Sequence, residues 1–373
     1  MSLSIQQVIQ LIEELAPKKL AADWDQVGLQ IGDYQQRVSK VLVTLDVNTE
    51  IMEEAINKEV DLIVSHHPVI FDAISTIRLD TELGQIIKKA ITNQISIYVA
   101  HTNYDIAKGG LNDTLAVQLG LEEVEVLQKT AEDELKKLVV FVPAENLTEV
   151  REAITAQGAG CIGDYSDCTF QVEGEGSFRP LAGSDPYLGE QGELAKVKEC
   201  RLESIVPASK LGRVINELKA AHPYEEVAYD LYSLEIAGEK LGLGRIGYLE
   251  NELAFEDYLE QVKELLEVNN LRVVPPTTNT INKVAVCGGA GGDLIKQAAF
   301  KGADLLLTGD LKYHEAELAV ELGLGVIAAG HYATEVIMQS AMVDYLQEQL
   351  SKKSLTEITV CSSERNKDFI EIV

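Results

Sequence analysis

The sequence predicts an α/β protein in which two duplicated strand–helix–strand halves form one outer domain, with an α+β domain inserted between them. Three observations predict it. β-Branched apolar runs alternate with helical stretches at both ends of the chain, the two ends align without a gap, and the composition between them is different.

In the first half, residues 40–46 (KVLVTLD) and 60–65 (VDLIVS) read as buried strands flanking a helix over 49–58. A helix over 81–92 leads to a third strand, 95–100. An amphipathic helix over residues 1–20 precedes them and lacks a signal-peptide layout. The second half repeats the plan: strand 283–287 (KVAVC), helix 293–301, strand 303–308 (ADLLLT), helix 312–323 and strand 325–329. A shift of 243 positions lays Lys40 on Lys283, Val41 on Val284, Asp61 on Asp304 and Ser65 on Thr308. A register held over 26 positions argues for an internal duplication.

The middle departs from this plan. Residues 136–142, 168–173 and 227–235 read as strands, and 146–157 and 208–221 as helices. Residues 158–192 turn to Gly, Pro, Asp and aromatics without helical period. In outline this is two β-α-β units, the layout of a ferredoxin-like α+β domain. The expected domains are 1–128 with 242–373, and the insertion 129–241.

Composition narrows the function. A chain of 373 residues exceeds one compact core. No apolar run approaches the roughly 20 residues that span a bilayer, so a soluble, cytoplasmic protein is expected, with no membrane partner. With 32 basic and 60 acidic residues, the formal charge is −28, and no basic cluster offsets it, which disfavours nucleic acid. Five scattered cysteines lack zinc-knuckle spacing and read as buried free thiols.

The chemistry gathers at strand ends. Ser65-His66-His67-Pro68 closes the second strand, where open α/β sheets place their ligands. The third strand is followed by His101 and Asp105, and its counterpart in the second half by His331 and Glu335. Each half thus offers a histidine and a carboxylate four residues apart. On a helix over 332–350, His331 and Glu335 would share a face. Four of the six histidines fall in these clusters. Imidazole with carboxylate suits zinc, iron, manganese or cobalt, and a bridging carboxylate suits two ions.

Other features are less specific. The run Cys287-Gly288-Gly289-Ala290-Gly291-Gly292 is either a tight strand-to-helix turn or a phosphate wrap, and it lacks the Gly-Lys-Ser/Thr ending. His314 reads equally as a general acid, a support for a ligand or a surface residue. Trp24 reads as a core anchor or as a stacking platform. No Gly-x-Ser-x-Gly elbow is present.

Taken in order, Trp24-Asp25-x-x-Gly28-Leu29-x-x-Gly32, Ser65-His66-His67-Pro68, His101-Thr102-Asn103-Tyr104-Asp105, Thr308-Gly309-Asp310 and Gly330-His331-x-x-x-Glu335 resemble the Nif-three-like family. Its bacterial members are called type 2 homologues of GTP cyclohydrolase I. Gly160-Cys161-Ile162-Gly163, Gly174-x-Gly176-x-Phe178-x-Pro180 and His222-Pro223-Tyr224-Glu225-Glu226 are similar to the inserted domain of its longer members, itself like the PII and CutA folds. The resemblance implies a homohexamer, a dimer of trimers. It also implies two divalent ions per subunit (zinc, iron or manganese) held by His66, His67, Asp105, His331 and a bridging Glu335. The expected activity is hydrolysis of a purine nucleotide or related phosphorylated heterocycle. In the cyclohydrolase version, activated water attacks C8 of GTP, with His101 or His314 moving a proton. The alternative is a metal-binding regulatory or scaffold hexamer that binds a nucleotide or other small molecule with little turnover.

Overall fold

The structure, a computed structural model, describes residues 3–353, 355 and 357–372. The chain divides into two compact units: residues up to Ala131 together with those from Leu241, and Glu132–Lys240.

The first unit holds two large sheets and a two-stranded one, Leu3–Ser4 with Arg37–Val38. In one large sheet, β1 (Gly28–Ile31), β2 (Lys40–Thr44), β3 (Leu62–Ser65) and β4 (Ser96–Val99) combine with Thr359–Ser362 in the order Thr359–Ser362, β2, β3, β4, β1. All pairs are parallel except β1 on β4. Residues of β2, β3 and β4 are buried on both faces, because helices cover each side. Alternation along a strand divides them. Val41 and Val43 join the core beneath α1 (Ile5–Leu15) and the helix Met338–Lys352. Leu42 joins the opposite core with α2 (Thr49–Asn57) and α3 (Glu82–Thr92). Each such Leu or Ile contributes about 1.5–3 kcal/mol by burial. The helices start where polar side chains cap them: Asn48 accepts from the Ile51 amide and Thr81 from the Gly84 amide.

The second sheet contains β5 (Thr280–Cys287), β6 (Leu305–Thr308) and β7 (Gly325–Ala328), in the order Arg272–Val274, β7, β6, β5, Glu239–Ala254, Leu121–Asp133. β5, β6 and β7 are parallel. The strand–helix–strand units of the two sheets share their fastenings. Asp61 Oδ2 accepts the amides of Ser39 and Lys40, and Asp304 Oδ2 those of Asn282 and Lys283. Lys40 Nζ donates to the Lys58 carbonyl, and Lys283 Nζ to that of Lys301.

Three expected elements of the first unit differ, and in the second the helix expected over 208–221 opens with a 3-10 turn, Ala208–Lys210. The N-terminal helix covers only Ile5–Leu15, ending at Ala16 because Pro17 disfavours helical geometry before it; Met1 and Ser2 lie outside the described residues. The segment expected as a helix over 293–301 opens with a 3-10 turn, Gly292–Leu294, before α5 (Ile295–Phe300). After α6 (Tyr313–Leu322), the helix expected over 332–350 is two. α7 (His331–Glu335) stops at a turn at Val336 and Ile337, and Met338–Lys352 begins beyond it.

The second unit is a four-stranded antiparallel sheet with two helices, Leu147–Ala156 and Leu211–Ala221. Its strands Leu135–Pro143, Thr169–Phe178, Ala195–Pro207 and Tyr229–Ser233 stand in the order fourth, first, third, second. Ala195–Pro207 was not among the expected strands. All five cysteines are free, but only Cys200 and Cys287 are buried, and Cys161 is exposed. Among the described residues, no helix is long and apolar enough to cross a membrane.

Candidate metal centre

β3 ends at Ser65, so His66 and His67 leave the sheet together. His66 is fully buried. Its Nδ1 lies 2.9 Å from the Ala100 carbonyl, which can only accept, so Nδ1 carries the proton and Nε2 points inward. The other three histidines obey the same rule with carboxylates. His67 Nδ1 meets Asp46 Oδ1, His101 Nδ1 meets Asp25 Oδ1 and His331 Nδ1 meets Asp310 Oδ2, each at 2.8 Å.

Short helices deliver the rest. α4 (Thr102–Ile106) is capped by His101 and carries Asp105. α7 carries His331 and Glu335, which are one turn apart. Gly330 precedes it at φ 102°, a left-handed conformation that glycine tolerates. The glycine-rich run packs against Glu335: a Cβ on Gly289 would collide with Glu335 Oε1. Its amides are spent within the fold, Gly288 on Asn112, Gly289 on Thr334 and Gly291 on Thr308. It is therefore a strand-to-helix turn that cradles Glu335, and these amides are not free for a phosphate. Asn112 also donates to the Asp105 carbonyl, tying the turn to α4.

The two oxygens of Glu335 face different partners. Oε2 lies 3.0 Å from both His67 Nε2 and His331 Nε2. Oε1 lies 3.8 Å from His66 Nε2, which is 3.5 Å from Asp105 Oδ1. With the Nδ1 protons turned outward, imidazoles in the neutral form would have no proton to give. His66 Nε2, Asp105 Oδ1 and Glu335 Oε2 are buried without a hydrogen-bond partner. Lone pairs would then face lone pairs, an arrangement that either a proton on Nε2 or a metal cation between them relieves.

Without a metal ion, the buried carboxylates favour protons on these rings. Burial opposes charge on His67, yet Asp46 and Glu335 outweigh it and raise its pKa to about 10. Glu335 and Asp310 outweigh burial at His331 and raise it to about 9. His66 is also raised, by Asp105 and Glu335 against burial. Burial would lift Glu335, but His331, His66 and His67 hold it well below the usual carboxylate range. Asp105 is pushed up, chiefly by burial. Asp25 is held at about 2 by His101 and Thr102 despite its burial.

The donors fit a divalent ion. His66, His67 and His101 form one group with ligand atoms within 4.8 Å of one another, and His67, His331 and Glu335 a second. Separations of 3.0–3.5 Å match two ligand atoms each about 2.1 Å from a shared ion, at angles of roughly 90–110°.

The cluster unites His66, His67, His101, Asp105, His331 and Glu335. His314 stands apart on α6: its side chain is 88% exposed and pairs with Glu317. Trp24 is not a core anchor; it is 59% exposed, its ring 6.0 Å from those of His101 and Phe71. Asp46, which positions His67, was not singled out in the sequence. Its signal was its place, a carboxylate directly after the buried run 40–45.

The profile of the Duf34/NIF3 (NGG1p interacting factor 3) family matches residues 3–368. The chain belongs to the Duf34/NIF3 family. The Bacillus subtilis (strain 168) protein named GTP cyclohydrolase 1 type 2 homolog is 46% identical over 365 residues, 98% of each chain. The crystal structure of a Bacillus cereus protein related to NIF3 superposes with a TM-score of 0.90 at 45% identity, covering 100% of this chain and 99% of the other. A Staphylococcus aureus protein gives 0.72 at 28% identity, covering 100% and 99%. The mixed α/β fold of this chain is thus that of Duf34/NIF3 proteins.

Proposed function

We propose that this protein is a dinuclear metal-dependent hydrolase of a purine nucleotide or related phosphorylated heterocycle. One observation carries the reading: the two oxygens of Glu335 face two separate donor sets. His66 and Asp105 would hold one ion, His67 and His331 the other, and Glu335 would bridge. Imidazole and carboxylate ligands accept zinc, iron or manganese. Bound ions supply Lewis acidity, which lowers the pKa of water and polarises an anionic substrate.

The chain's own residues do the remaining work. Asp46 and Asp310 fix His67 and His331 through Nδ1, so each ring presents Nε2 in one orientation. Asp25 does this for His101, whose ring lies 5.0 Å from that of His66. His101, which lies within the cluster, is the proton carrier in this reading, and His314, which stands apart, is not. Trp24 and Phe71 offer ring faces on which a planar heterocycle can stack beside His101. The name borne by the Bacillus subtilis relative agrees with such a substrate.

The rest of the proposal concerns architecture. Matching fastenings at Asp61 and Asp304, and at Lys40 and Lys283, support descent of the two halves from one duplicated unit. The β-α-β-β-α-β order and strand arrangement of Glu132–Lys240 support a ferredoxin-like, PII/CutA-like insertion. The motif resemblance to the Nif-three-like family is what supports a cytoplasmic homohexamer.

The test is turnover of GTP by metal-loaded protein beside a His66→Ala, Glu335→Ala double variant. Hydrolysis by the parent that the variant lacks supports the enzyme. Metal binding by the parent with no turnover would replace it with the regulatory hexamer.

A further inference from the structure

The unit Glu132–Lys240 contains a cavity of about 430 Å³, within the size range of small-molecule sites. Its walls are aromatic and acidic. Tyr224 is the hub, with Phe178 at 5.8 Å and Tyr187 at 6.2 Å between ring centroids, both inclined to it. Tyr187 is half exposed and lines the same space. Three carboxylates line the space, Glu199, Glu225 and Glu226, and no lysine or arginine does.

Glu199 separates this cavity from an ordinary acidic surface. It is nine-tenths buried. Its Oε1 accepts the Tyr224 hydroxyl at 2.8 Å. Its Oε2 has no hydrogen-bond donor among the described residues, and it occupies space that exists because residue 176 is glycine: a Cβ there would collide with it. Glu199 lines the cavity, so a positive partner entering there would meet a carboxylate oxygen with acceptor capacity to spare. Nearby His222 does not supply the charge, since burial lowers its pKa and its Nε2 is spent on the Phe141 carbonyl.

We propose that this cavity binds a small organic cation: an ammonium group against Glu199 Oε2, with its apolar body between the faces of Phe178, Tyr187 and Tyr224. Aromatic faces attract cations through the ring quadrupole, and a desolvated carboxylate adds direct charge pairing. The same walls disfavour phosphates, because every charged lining group is negative. The site would make this unit a sensor of amines rather than of nucleotides. The inference is independent of the metal centre and of any reaction there.

The test is calorimetric titration of the full chain with choline, n-butylammonium, 3,3-dimethylbutan-1-ol (the uncharged shape of choline) and ATP. Saturable binding of a cation, about tenfold or more tighter than the alcohol, is expected. Glu199→Gln keeps an acceptor for Tyr224 and should weaken that binding at least about tenfold. Tyr187→Ala, at an exposed position that folding tolerates, should weaken it several-fold. The proposal is overturned if neither cation binds saturably, if the alcohol binds as tightly, if ATP occupies the site in preference, or if both variants, folded by circular dichroism, bind unchanged.

Discussion

His67 and His331 come from opposite halves of the chain, and each places Nε2 3.0 Å from the same atom, Glu335 Oε2. Neither half can complete the site alone. Glu335→Gln preserves volume while removing the charge that faces three imidazoles. The expected result is loss of bound metal with the fold retained, read by elemental analysis and circular dichroism. Metal content equal to the parent would refute the role given to Glu335.

Positioning carboxylates should matter almost as much as the ligands they hold. Asp46→Ala or Asp310→Ala removes the partner of a ligand's Nδ1, and metal affinity should fall about 10–100-fold. Asn at either position still accepts from Nδ1 and should cost less. Competition with a chromogenic chelator measures both, and an Asp46→Ala affinity equal to the parent's would sink the argument.

That pair also shows what the sequence could and could not reveal. His66 and His67 were legible because adjacent imidazoles at the end of a buried run have few other uses. Asp310 occupies the place of His67 in the second half under the 243-position shift, so the repeat pointed to the right position but not to its role. Which atom a carboxylate reaches depends on how two loops meet. Gly289 read as part of either a tight turn or a phosphate wrap; in the structure a Cβ there would collide with Glu335. The strand Ala195–Pro207 was missed because charged residues interrupt its apolar ones, the alternation of a sheet with one exposed face. Trp24 could not be assigned by composition, since a lone tryptophan is usually buried; here it stands exposed beside a histidine cluster.

Metal-free protein should lose stability as pH rises. His67 and His331 titrate at about 10 and about 9 in the folded chain, above the roughly 6.5 of an unfolded one. Raised values mean that their contribution is complete below about pH 6.5 and disappears as pH climbs through 9–10. Ions displace those protons, so the rise in Tm produced by manganese should grow from pH 6.5 to 8.5. Thermal melts with and without chelator read both trends; a metal-induced shift independent of pH contradicts the displacement of protons.

Arg245 is buried and holds the region behind α4. It pairs with Asp113 and donates to the carbonyls of Ala107, Gly242 and Gly244. Arg245→Met strands these acceptors and should cost about 3–5 kcal/mol of unfolding free energy. Urea denaturation measures it, and a loss under about 1 kcal/mol would show that water replaces the guanidinium.

The central claim is a pair of ions bridged by Glu335. Anomalous scattering from crystals of protein purified without added metal, joined to elemental analysis, tests it most directly. The account expects two peaks per chain, one beside His66 and Asp105, the other beside His67 and His331, with Glu335 between them. A single peak, or none at these residues, would contradict it.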